Sequence, residues 1–408
     1  MQHALTPEEL REHCSLGDES KSWVTLCRAA GVIMLAIAAG MGFAENDGCA
    51  QLFHSYLVSY AFCLSFSLGA LFFVAVNHLT RASWMIVIRR LSEVLAAGFP
   101  LMAVLFLPIL IPLLMGNHSL YEWSDPHHVE GDHVLEGKSP FLNVPFFTVR
   151  AVIYFAVWIT LSRFFLKNSR LQDERADPAL ILRMRKWSAL TIVLFALTTT
   201  FAAFDWLMSL EPHWFSTIFG VYYFAGTMLA FFALMSLICL YLQERGRLSG
   251  VVTVEHYHDL GKYLFAFTFF WGYIAFSQYM LIWYADLPEE TFWFLKRQTG
   301  AWTAVSVLLI VGHLLVPFAG LLSRHVKRSR AGLAFFAILL LLMHWVDMYW
   351  LVMPALHADV LNFGIIDLAC LAGLLGLVLG GFLSRLRAGP LAPVNDPYLE
   401  ESLRFRNQ

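Results

Sequence analysis

Ten apolar stretches, each long enough to cross a lipid bilayer, occupy most of this 408-residue chain. A span needs about 20 mostly apolar residues. Inside lipid the backbone can satisfy its own hydrogen bonds only as a helix or a closed barrel. The stretches are continuous rather than alternating, so they read as helices. They cover Val24–Phe43, Tyr56–Val76, Leu95–Met115, Val149–Leu166, Ala189–Met208, Ile218–Leu242, Lys262–Tyr284, Trp302–Leu322, Leu333–Met353 and Phe363–Leu386. Only 14% of the residues are charged, against roughly 25% in a soluble domain. The expected fold class is an all-α integral membrane protein of about ten transmembrane helices. It divides into an N-terminal segment (1–23), a membrane domain (24–386) with a long outer loop (116–148), and a tail (387–408).

Lysine and arginine orient it. The loops on one side, both end segments included, hold 22 of them, whereas the opposite loops hold only Lys138, Lys296 and Arg297. The positive-inside rule places both termini in the cytoplasm, and so lopsided a split fits an even number of spans. Residues Met1 to Trp23 have no basic stretch leading into an apolar core, so no cleavable signal peptide is expected. The net charge of −2 gives no support for nucleic-acid binding. Arg90–Leu95 opening the third span echoes Asp259–Leu264 opening the seventh. A repeat of that kind implies two four-helix bundles, spans 2–5 and 6–9, flanked by spans 1 and 10.

The six cysteines (Cys14, Cys27, Cys49, Cys63, Cys239, Cys370) stand far apart, with no Cys-x-x-Cys and no Cys-x-x-Cys-His. Zinc, c-type haem and iron–sulfur sites need such spacings. No metal is expected on this chain, and any electron carrier is expected on another polypeptide or as a bound small molecule. His313 and His344 alone lie at a depth suited to haem ligation, and no glycine-rich haem-packing pattern flanks them.

An ionisable group at mid-bilayer costs at least about 2.5 kcal/mol, so those inside the spans are the candidate functional residues. Asp205 closes the fifth span, with Thr198 and Phe201 on the same helical face at i−7 and i−4. A carboxyl group there suits a proton relay, or hydrogen-bonds a neighbouring helix as structural glue. His344 and Asp347, three apart near the middle of span 9, are close enough to pair. An acid beside an imidazole orients it and tunes its proton affinity. His313 sits at mid-depth in span 8, where it is a relay member or a satisfied core residue. Gln278 and Asp367 lie toward the outer ends of spans 7 and 10 and extend a polar line outward or are simply reached by water. Glu93 and His78, at the inner mouths of spans 3 and 2, are candidate proton entry points or solvated groups.

Glu211 and His213, past Pro212, read as surface residues, as do Glu45, Asp47 and His54 around the outer turn after span 1. The outer loop holds nine histidines and acids between His118 and Glu136. Imidazole and carboxylate are good metal ligands, but nothing fixes their geometry, and a solvated or partner-docking loop is the plainer reading.

The run Phe204-Asp205-Trp206-Leu207-Met208-Ser209-Leu210-Glu211-Pro212-His213-Trp214-Phe215-Ser216-Thr217 resembles the F subunits of bacterial alternative complex III. So do Ala82-x-Trp84 with Arg89-Arg90-x-x-Glu93, the stretch from Lys138-Ser139 through Asn143-x-Pro145-Phe146-Phe147 to Arg150, and Phe276-Ser277-Gln278-Tyr279-Met280-x-Ile282-Trp283-Tyr284. That complex is a quinol:cytochrome c oxidoreductase of the bacterial cytoplasmic membrane. The resemblance implies a ten-helix subunit of the polysulfide reductase anchor type. It also implies a homologous ten-helix C subunit, a periplasmic iron–sulfur subunit and multihaem cytochrome c subunits as partners. Haem and iron–sulfur clusters then belong to those partners, with quinone, quinol and lipids as the small molecules near this chain. The expected role is a subunit that is not catalytic alone and supports proton conduction, with a proton relay through Asp205, His344, Asp347, His313, Gln278, Asp367, Glu93 and His78. Two alternatives stand beside it: quinone binding at Asp205, His344 or Asp347, and a purely structural scaffold.

Overall fold

A computed structural model of the protein describes residues 13–17, 20–45 and 47–407. Residues 1–12 of the expected N-terminal segment lie outside the described residues. Ten helices are long and apolar enough to cross a membrane: α1 Ser20–Ala44, α2 Ala50–Thr80, α3 Ile86–Leu114, α4 Val144–Arg175, α5 Pro178–Leu210, α6 Phe219–Glu244, α7 Val254–Ala285, α8 Trp302–Leu322, α9 Arg330–Leu356 and α10 Ile365–Leu386. Each contains one of the ten apolar stretches almost entirely. Several run well past them at the basic end, because hydropathy marks only the part that needs lipid. Lysine, arginine and glutamate are good helix formers in water, so α4 continues through Lys167–Arg175. It stops where Ala176 turns left-handed (φ 49°). The Asp177 carboxylate then caps the Ala179 N–H at 2.9 Å, and Pro178 opens α5.

The helices pack as two four-helix bundles, α2–α5 and α6–α9. In each, the first helix contacts the second and fourth, and the third bridges those two. The bundles meet along α2, α5, α6 and α9, and α10 lies against α2 with α1 outside it. α2 is the hub: 94% of its apolar window is buried, against 17% for α1 and 22% for α8. Apolar helices gain little from leaving lipid, so small residues set their approach. Gly31 and Gly373 let α1 and α10 touch backbone to backbone: a Cβ on Gly31 would lie 2.8 Å from the Gly373 carbonyl oxygen.

Both described ends lie at the basic end of the bundles. The carbonyl of His13 accepts from Leu248 N–H in the α6–α7 turn, and that of Cys14 from Leu391 N–H in the tail. The tail is folded against this end rather than trailing from it. Asp396 pairs with Arg89 at 2.6 Å, and the Ser402 hydroxyl reaches the Trp84 carbonyl at 2.7 Å.

Candidate proton-handling sites in the two bundles

The second bundle surrounds Asp347, which is fully buried. The Tyr222 hydroxyl (α6) donates to its Oδ1, and the Trp271 indole N–H (α7) donates to Oδ2 at 3.1 Å. The expected pairing with His344 does not form. One helical turn away, His344 turns its Nε2 to the Ser65 hydroxyl of α2, 3.0 Å distant. Ser65 donates its own hydrogen to the Ala61 carbonyl at 2.9 Å, so it accepts from Nε2–H and leaves Nδ1 as the acceptor nitrogen. Nδ1 has no partner in the protein and faces Gly226. A Cβ on Gly226 would lie 2.9 Å from Nδ1 and 3.8 Å from Asp347 Oδ2. Only a glycine lets α6 pass so close to both groups.

His313 completes the cluster. Its ring lies 4.0 Å from the Trp271 ring and 6.4 Å from that of His344, between centroids. It is fully buried, and neither ring nitrogen has a hydrogen-bond partner in the protein. The surrounding turn, Leu309–Leu315, is π-helical. Pro317 is one cause, since it has no N–H to offer the His313 carbonyl four residues before it. Such turns are rare and recur at functional sites.

In the first bundle Asp205 is also fully buried, but its surroundings differ in kind. Arg150 of α4 grips it with two hydrogen bonds, Nε to Oδ2 and Nη2 to Oδ1, both 2.8 Å. The Tyr154 hydroxyl adds a third at 2.6 Å. The third arm of the fork, Arg150 Nη1, holds the Phe141 carbonyl at 2.8 Å, and the guanidinium carbon lies over the Phe141 ring at 3.8 Å. Thr198 accepts from Trp158 Nε1 at 2.8 Å. Phe201, expected on the same face, is exposed instead. It lies about 60° round the helix from Thr198 and about 40° from Asp205, toward the exposed side.

At the outer end the structure corrects two readings. Glu211 is buried rather than on the surface. It pairs with Lys296 at 2.7 Å and with the fully buried Arg297 at 3.0 Å. Arg297 also donates to the carbonyls of Trp350 and Leu351 on α9. Burial pushes the Glu211 carboxyl up, but Arg297 and Lys296 outweigh it and hold the group below its ordinary value. His54 is buried as well, on the helix that its neighbours surround, with a ring nitrogen 2.8 Å from the Ala50 carbonyl one turn back. Glu45 and Asp47 are exposed as expected, and so is His213, which meets Asp132 at 2.6 Å.

Asp367 is the acceptor that starts α10, taking the Gly364 N–H at 2.8 Å and the Ser55 hydroxyl of α2 at 2.6 Å. Gln278 is buried near the outer end of α7, 3.4 Å from the Ser216 hydroxyl. At the inner end Glu93 is not solvated. It is buried between Arg89 (3.3 Å) and Arg90 (3.1 Å), and Arg90 goes on to Asp173 at 2.7 Å. His78 is buried and stacks on Phe165.

The eight expected relay residues therefore fall into separate places. His313, His344 and Asp347 come together, with Gln278 outward in the same bundle. Asp205, Asp367 and the inner pair Glu93 and His78 stand apart. From Ser65 to His78 along α2 is about 20 Å, through Leu68, Leu71, Phe72 and Phe73. Inward along α6 and α7 come the buried hydroxyls of Thr227 and Thr268 and then Phe232, stacked on Phe267 and Tyr263.

Sequence reasoning missed Tyr222, Trp271, Gly226 and Ser65, which carry no charge and no spacing signal. Arg150 was readable, as a cation inside an apolar stretch. Among the described residues no three histidines, cysteines or acids come together as a metal site, the 118–136 loop included. Compared with known proteins, the chain matches no family model and no curated relative.

Proposed function

We propose that this chain is a membrane subunit of a quinol:cytochrome c oxidoreductase of the alternative complex III type, with its redox centres on partner subunits. Its own task is to hand protons from mid-membrane to the outer face through the second bundle. One observation carries this reading. Asp347 is a fully buried carboxyl whose partners are two neutral donors, Tyr222 and Trp271. Two imidazoles with unpartnered nitrogens stand nearby, His344 one turn back on α9 and His313 against the Trp271 ring. A carboxyl without a fixed cation gains and loses a proton without breaking an ion pair, as relay chemistry requires. His313 and His344, with ring centroids 6.4 Å apart, receive the proton at mid-depth. Asp347 and Tyr222 pass it outward toward the Glu211–Arg297 cluster, whose guanidinium donates to the Trp350 carbonyl, one turn outward of Asp347 on α9.

The relay is an outer half-path. The phenylalanine-packed inner half of the bundle favours release of protons liberated in the membrane over conduction from the cytoplasm. A scaffold role is favoured for the first bundle, by the arginine that holds Asp205. The test is Asp347→Asn in the assembled complex. The proton-to-electron ratio should fall, with the subunit still present and quinol oxidation retained. An unchanged ratio would refute the relay.

A further inference from the structure

At the inner end of the first bundle a cavity opens between α2, the start of α5 and the tail. Asn77, His78, Arg81, Arg89, Arg185 and Asp396 line it, with Ile86 at its wall. Arg89 is paired with Asp396 and Glu93. Arg81 and Arg185 have no carboxylate partner among the described residues, so the cavity keeps their positive charge. Three buried side-chain nitrogens on its lining, Asn77 Nδ2, His78 Nε2 and Arg185 Nε, have no hydrogen-bond partner in the protein. Asn77 and His78 are only 4% and 5% exposed. Burying one such group without a partner is costly, and native proteins rarely leave several together.

The backbone adds an independent sign. Arg81 ends α2 in the left-handed conformation (φ 56°), where glycine is the favoured residue. Keeping a long cationic side chain at that turn argues that the side chain is used. The 11-residue helical segment Ile86–Ala96 also begins at the cavity wall, so its first-turn N–H groups add positive potential there.

We propose that this cavity binds a phosphate group, supplied by the headgroup of an anionic phospholipid or by free phosphate. The lining offers donors and cations, which a group rich in acceptor oxygens complements. It lies at the basic end of the protein, where pockets between membrane helices take anionic headgroups. Arg81 and Arg185 are the principal contacts, with Asn77 and His78 completing the donor set.

The test is native mass spectrometry of the full chain in detergent. It is titrated with dioleoyl phosphatidylglycerol, with dioleoyl phosphatidylcholine and, in a separate arm, with inorganic phosphate. The wild type should bind one equivalent of the glycerol lipid in preference to the choline lipid. Arg185→Gln should weaken that binding about tenfold, as loss of one charge-assisted contact does. Arg81→Gly should weaken it too while folding at least as well, because it removes the left-handed arginine. Arg183→Gln, on the exposed face of the same helix, should change nothing. Competition by inorganic phosphate, with the same dependence on Arg81 and Arg185, would identify free phosphate as the source. Equal retention of both lipids and of phosphate by the wild type and a folded Arg81→Gly protein would overturn the proposal.

Discussion

Arg150 and Asp205 meet through two parallel hydrogen bonds of 2.8 Å, both side chains sealed inside the first bundle. In the second bundle Asp347 stands on the corresponding fourth helix, yet its partners are a phenol and an indole. The two halves thus each bury a carboxylate on the fourth helix, nearer the helix end in the first, and differ in what answers it. A fixed cation locks the charge, whereas neutral donors leave it exchangeable.

The locked pair makes the first prediction. Removing one partner of a buried ion pair leaves an uncompensated charge and costs about 3–5 kcal/mol. Arg150→Ala and Asp205→Asn should each lower the thermal unfolding midpoint of the purified protein sharply. Arg150→Met combined with Asp205→Leu should recover most of the loss, since apolar replacement of a whole pair is often neutral. Strictly additive losses would mean that the two residues act independently.

The phenols separate the two sites. Tyr154→Phe removes one of three donors from Asp205, so Arg150 still satisfies the carboxylate. Tyr222→Phe leaves Asp347 with Trp271 alone, and an under-satisfied buried polar group costs about 1–3 kcal/mol. Tyr222→Phe should therefore be the more destabilising change in denaturant titrations. In the assembled complex it should also lower the proton-to-electron ratio, and Tyr154→Phe should not. Equal effects of the two on the ratio would remove the distinction between the bundles.

Gly226 offers a steric probe of the same cluster. An alanine there brings a methyl within 2.8 Å of His344 Cε1, so the ring must swing and stretch its 3.0 Å contact with Ser65. Overpacking of this kind typically costs 1–3 kcal/mol. Gly40→Ala in α1 meets nothing within 4 Å and should be neutral or slightly stabilising. Comparing the midpoints of the two variants isolates the contact from the general effect of glycine replacement.

How much of this was legible beforehand follows from what each residue signals. The ten helices were, because an apolar run long enough to span lipid has few other fates. The two bundles were faintly visible, in the echo between Arg90–Leu95 and Asp259–Leu264. The site was half legible. His344 and Asp347 announce themselves as charges among leucines, but their spacing suggested a mutual pair. Which neighbour each takes depends on the other helices: Ser65 captures His344, and Tyr222 and Trp271 capture Asp347. Glu93 and Glu211 looked solvated because each sits beside a loop. Folding of the tail over one end and of Pro288–Gln298 over the other buries them, and these are long-range contacts that local pattern does not encode.

Glu211 gives a prediction with a defined sign in pH. Its carboxyl is held below the ordinary value by Arg297 and Lys296 against the opposing push of burial. A depressed folded value means that the stabilisation is fully present above the unfolded value, about 4.3 for a glutamate. It is lost as pH falls through the lower, folded value. Glu211→Gln lacks the charge at every pH. The gap in unfolding midpoint between wild type and Glu211→Gln should therefore be widest near neutrality and close progressively below about pH 4. Added salt should narrow it little, because screening acts weakly on buried pairs. Glu400→Gln, which breaks the exposed contact with Arg404 (3.6 Å), is the control and should show no comparable gap at any pH. A constant difference between wild type and Glu211→Gln across that range would mean that the residue contributes by packing alone. The buried Arg297 would then be solvated chiefly by the carbonyls of Trp350, Leu351 and Trp293, which accept its hydrogen bonds.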